Sequence, residues 1–144
     1  MLDAGYKANV IPQHATAVVD GRTLPGFEKE LLETIGELAG EHVKVESLVS
    51  DIPLEVEFGG ELVAKMIAAI KSEDPEGEVI PYLLSGGTDN KALAKLGIVG
   101  YGFSPVKLPA DMDFVAMFHG VDERVPVDSL HFGARTLHHF LCNA

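Results

Sequence analysis

Three groups of residues in this chain have side chains of the right kind for chemistry. The first is His119-Gly-Val-Asp122-Glu123-Arg124, which follows the apolar stretch Phe114 to Phe118. It sets an imidazole beside two carboxylates, the donor types from which zinc sites are built. A loop histidine held by Asp122 explains the same residues without a metal. The second is Ser85-Gly86-Gly87-Thr88-Asp89, between an apolar run and a helical pattern. Glycines there let backbone N–H groups approach a ligand, and a helix N-terminus favours an anion. A tight turn with Thr88 or Asp89 as helix cap is the plainer account. The third is Asn9 with Arg22, which flank two short strand-like runs. A guanidinium grips a carboxylate through two parallel hydrogen bonds. It serves equally well as a partner for Asp20 or another surface acid.

Other candidates are weaker. His131 and His138 share a helical face but lie two turns apart, too far for one metal, so these and His139 read as surface histidines. Cys142 is the single cysteine. A catalytic thiol needs an organised base, and Cys142 reads as a packing or spare residue.

The elements that must carry these residues follow from periodicity. Asn9-Val-Ile-Pro12 and residues 15–22 have strand character. Phe27, Leu31, Leu32, Ile35, Leu38 and Ala39 recur at helical spacing, with Gly40 as the stop. Residues 42–49 alternate again, so residues 9–49 read strand, strand, helix, strand. A polar connector with Pro53 follows, and Gly59-Gly60 opens a second helix through Ile70. Residues 79–84 and 98–103 read as buried strands around a short helix at 92–96. Strand, glycine-rich loop, helix and strand suit a parallel α/β layer. A loop is expected over 104–117, and an amphipathic helix over 128–141.

Composition bounds what such an assembly does. The chain has 144 residues, 47% hydrophobic and 23% charged, with a net charge of −11. That is a globular composition, and disorder is excluded as the main state. So acidic a chain is a poor binder of nucleic-acid phosphates or of an anionic membrane surface. No stretch approaches the roughly 18 apolar residues of a membrane helix. The start lacks a basic head and apolar run, so no secretory signal is read there. A lone cysteine fits a reducing cytoplasm, the expected location.

Taken in order, the motifs resemble one family. Asn9-Val-Ile-Pro12, Asp20-Gly-Arg22-Thr-Leu-Pro25-Gly26, Ser85-Gly-Gly-Thr-Asp89, Gly97-Ile-Val-Gly-Tyr-Gly-Phe-Ser-Pro105 and His119-Gly-Val-Asp-Glu-Arg124 resemble the carboxy-terminal part of a zinc metallopeptidase family. Its members include dipeptidases, glutamate carboxypeptidases, aminoacylases, acetylornithine deacetylase and succinyl-diaminopimelate desuccinylase. The style of the motifs looks closest to the dipeptidase and carboxypeptidase-S branch.

The resemblance implies an α/β protein in two parts. Residues 1–52 would be a partial lid, or dimerisation, domain of α+β type. Residues 53–144 would be the C-terminal part of a catalytic domain that binds two zinc ions. His119 matches a zinc ligand. Asn9, Arg22 and the loop Ser85, Gly86, Gly87, Thr88 match residues that face the substrate carboxylate. Lys91 stands where many members carry Arg, and a Lys lacks the bidentate fork. The early metal ligands and the general base of the family have no counterpart here, so no catalytic residue is expected within these residues.

The expected parent is a cytoplasmic zinc hydrolase of an amide bond next to a free carboxylate. Its substrates would be small peptides or N-acyl amino acids. The 144 residues themselves are expected to be inactive and to form a homo-oligomer. Two readings from other classes stay open: a non-catalytic self-association domain, and a small anion-binding domain using the Gly-Gly-Thr loop.

Overall fold

A computed structural model describes residues 1–144. The chain separates into two compact units. The first comprises Met1–Glu55 together with Ser85–Lys91, and the second Val56–Leu84 with Ala92–Ala144.

In the first unit β1 (Leu2–Ala4) and β2 (Ala15–Ala17) pair antiparallel, with Leu2 opposite Ala17 and Ala4 opposite Ala15. The ladder continues one step beyond, because Val18 N–H donates to the Met1 carbonyl at 2.8 Å. Gly5 turns the chain out of β1 at φ 71°, and a Cβ there would sit 3.1 Å from the Pro12 side chain. Glycine meets both demands, the left-handed backbone and the close approach. α1 (Glu28–Ala39) begins with Glu28 and Glu30 in its first turn and ends at Gly40, φ 72°. Acids at the start and a left-handed glycine at the end favour both termini. No residue of α1 is fully buried.

In the second unit α2 (Gly60–Glu73) packs on α5 (Val127–Asn143), with α4 (Phe114–Met117) between them in sequence. Val63 and Ala69 of α2 and Phe132 of α5 form the core. Pro105 is buried against α5, where its carbonyl would lie 2.5 Å from a Cβ on Gly133. Ser129 and Thr136 are buried with their hydroxyls satisfied, Ser129 donating to the Lys107 carbonyl and Thr136 to the Phe132 carbonyl. Ion pairs of Glu73 with Arg135 at 2.7 Å and Asp74 with Lys107 at 2.9 Å flank the contact.

The short helix expected near 92–96 is α3, Asn90–Ala94. The helices expected at 27–39, from Gly60 and over 128–141 are α1, α2 and α5. Residues 104–117 hold the short α4 as well as loop, because Asp113 caps it by accepting from Ala116 N–H. The strands expected over 9–12, 42–49, 79–84 and 98–103 carry no ladder, and of 15–22 only Ala15–Ala17 does. A strand is completed by hydrogen bonds to a neighbouring strand, and these runs find none. The fold is therefore mixed helix with one small antiparallel sheet, and no parallel pair forms. No helix is long and apolar enough to cross a membrane.

Candidate functional site

Arg22 and Ser85 stand 63 positions apart in the chain and meet in the first unit. Arg22 Nη1 donates to the Ser85 carbonyl at 2.7 Å. The same guanidinium forks onto Asp20, Nε to Oδ1 at 2.9 Å and Nη2 to Oδ2 at 2.7 Å. Asp20 and Arg22 lie two positions apart in the chain, and their side chains meet directly. Arg22's hydrogen bonds hold the Asp20 carboxyl below its ordinary value, helped by the positive charge itself. Asp20 in turn raises the guanidinium. Both side chains are largely exposed, 56% for Arg22 and 73% for Asp20. The pairing with Asp20 that was open on sequence grounds is thus present, together with a link to the glycine loop that spacing did not reveal.

The rest of the loop is exposed. Ser85, Gly86, Gly87 and Thr88 lie on the surface, and the Thr88 carbonyl accepts from Lys91 N–H at 3.2 Å as the chain enters α3. Lys91 Nζ lies 3.4 Å from an Asp51 carboxylate oxygen, so its charge is met within the unit. Asn9 sits in the turn between β1 and β2, exposed, and makes no side-chain hydrogen bond to Arg22 or the loop.

His119 belongs to the second unit. It follows α4 with φ 59°, the one non-glycine residue in the left-handed region, a conformation His adopts more readily than most side chains. Its N–H donates to Glu123 Oε2 at 3.1 Å, while Arg124 turns to the Asp122 carbonyl. The carboxylate that engages His119 is thus Glu123's, and it holds the backbone. The imidazole is exposed. No group of three or more His, Cys, Asp or Glu side chains is placed to hold a metal ion. Zinc needs about three or four protein ligands, so these residues by themselves do not fit a zinc ion.

The remaining histidines stay outside any such group. His131 and His138 are exposed on α5, and His139 is half-buried. Cys142 Sγ lies 3.8 Å from His138 Nε2, one turn away, on an exposed face. That contact, absent from the expectation for Cys142, follows from i to i+4 spacing on a helix.

No protein-family description matches the chain, and no solved structure matches it. Three curated relatives do. The chain is 30% identical over 154 aligned positions to the N-fatty-acyl-amino acid synthase/hydrolase PM20D1 of Mus musculus, a match that takes in all of this chain and 29% of that protein. It is 30% identical over 90% of its length to PM20D1.1 of Danio rerio, covering 26% of it, and 33% identical over 88% of its length to PM20D1 of Xenopus tropicalis, covering 25%. The chain thus spans between a quarter and a third of the length of these relatives. Likeness of this extent supports the peptidase and amidohydrolase resemblance in outline and selects no branch within it.

Proposed function

We propose that the chain is part of a zinc-dependent amidohydrolase that cleaves an amide bond next to a free carboxylate. The observation that carries the reading is the contact of Arg22 with the Ser85 carbonyl. It brings a cation of the right kind to the glycine-rich loop that the motif pattern assigns to the same substrate group. The names of the relatives point the same way, since an N-fatty-acyl-amino acid is an amide beside a carboxylate. N-acyl amino acids are accordingly the favoured substrate class, with dipeptides the next.

In this proposal residues 1–52 belong to a lid and 53–144 to the end of a catalytic domain. Arg22 binds the substrate carboxylate, assisted by Asn9 and the loop Ser85 to Thr88, and Lys91 would join them only by leaving its partner Asp51. His119 supplies one zinc ligand, and the other ligands and the general base come from residues outside these 144. A reducing compartment, the cytoplasm, suits the single cysteine.

The test is a pair of variants in the complete enzyme, assayed on an N-acyl amino acid with bound metal quantified. Arg22→Ala is expected to raise KM about tenfold or more with kcat nearly unchanged, because the carboxylate is gripped in ground and transition state alike. His119→Ala is expected to lower metal content and turnover together. Unchanged kinetics for Arg22→Ala together with unchanged metal content for His119→Ala would remove the basis for the reading.

A further inference from the structure

The guanidinium of Arg22 is only partly committed within the protein. It has five N–H hydrogens. Nε and one hydrogen of Nη2 go to Asp20, and one hydrogen of Nη1 goes to the Ser85 carbonyl. One hydrogen on each Nη remains without a partner, on a side chain that is 56% exposed. Asp20 occupies the edge of the guanidinium nearest the backbone, and the Ser85 carbonyl restrains the other nitrogen. An Arg side chain otherwise samples many rotamers, and fixing it beforehand lowers the entropy lost when an anion binds.

From this arrangement we infer that Asp20 is a positioning residue for carboxylate recognition: it holds Arg22 by one edge so that the free Nη hydrogens meet the ligand. The inference rests on the reading of Arg22 as the carboxylate-binding residue. Asp20 here is not a competitor for the substrate's place, because the hydrogens it takes differ from those it leaves. Ser85 shares the task through its main chain, so the glycine loop contributes a carbonyl to Arg22 as well as any N–H groups it offers to a ligand.

The experiment uses the 144-residue chain, isotope-labelled at arginine and followed by NMR at the Arg22 Nε–H signal. N-acetylglycine is the probe, and N-acetylglycinamide, which lacks the carboxylate, is the control. The wild type should respond to the acid and not to the amide. Asp20→Asn should bind N-acetylglycine about two- to fivefold more weakly, the range expected when one exposed ion pair is lost. Its Arg22 side chain should become more mobile while backbone signals stay in place. Asp20→Glu should recover part of the affinity, since it restores a carboxylate. Equal or tighter binding by Asp20→Asn would overturn the positioning role and make Asp20 a competitor. Absence of any carboxylate-dependent response in the wild type would instead overturn the reading of Arg22 itself, and the positioning role with it.

Discussion

Arg22 shows how a residue's plain role and its proposed role can coexist. Its pairing with Asp20 is an ordinary surface ion pair, which on its own contributes little to stability. Its bond to Ser85 is not local, and it draws the glycine-rich loop to the same place. The pH dependence of this cluster has a definite sign. Asp20 is depressed in the folded chain by Arg22, so its contribution is fully present above the value of an unfolded Asp and is lost as pH falls through the lower folded value. Observed through its carboxyl carbon, Asp20 should therefore titrate at lower pH in the wild type than in Arg22→Ala. The same midpoint in both proteins would contradict the pairing. Lys91 cannot take over from Arg22, because its amine is already opposed by Asp51 and offers no fork.

At the scale of elements, the packing of the Pro105 segment on α5 depends on a glycine. Gly133 lies in the interior of α5, where Ala would normally be better by about 0.8–1 kcal/mol. A Cβ at this position would approach the Pro105 carbonyl to 2.5 Å, and backbone cannot move aside as a flexible side chain does. Overpacking of that kind costs about 1–3 kcal/mol, so the steric term wins and Gly133→Ala should destabilise the chain. Gly36, within α1, has open space where a methyl group would go, with nothing within 4 Å. Gly36→Ala should therefore stabilise by about 0.5–1 kcal/mol. Urea midpoints read from the helical signal separate the two, and a more stable Gly133→Ala would show that Pro105 yields. Phe132 is the largest apolar side chain in the core. Phe132→Ala should cost about 3–5 kcal/mol, the usual range for a buried aromatic.

For the whole molecule the decisive quantity is exposed surface. The chain presents 11791 Å² to solvent. Large apolar side chains take part in it: Leu38, Val49, Ile80 and Leu96 are each at least 75% exposed. Two short strands make a sheet with both outer edges open, and open edges pair with other chains. Apolar surface of this extent marks association. The chain should therefore form dimers or larger assemblies at high micromolar concentration, and light scattering that finds monomer alone would count against this. Zinc should bind weakly, and hydrolysis of dipeptides or N-acyl amino acids by the 144 residues should be undetectable. A zinc-dependent activity in them would mean that the ligand set is more complete than His119 suggests.

Helices were legible from the sequence because their hydrogen bonds are local. The spacing of Phe27, Leu31, Ile35 and Leu38 with Gly40 behind them carries nearly all the information that α1 needs, and the same holds for α2 and α5. Apolar runs such as 79–84 and 98–103 have strand composition, but composition supplies no partner, and a ladder forms only when another segment lies alongside. The candidate site divides in the same way. Residue types and motif order singled out Arg22, the Ser85 loop and His119, since side-chain chemistry is written directly in the sequence. The pairing of Arg22 with Asp20 and the bond from His119 N–H to Glu123 are local, and the first was open on sequence grounds. That Arg22 also bonds the carbonyl of Ser85, 63 positions away, was decided by tertiary structure alone. That contact depends on where the folded chain brings its groups, and spacing along the chain does not report distance in space.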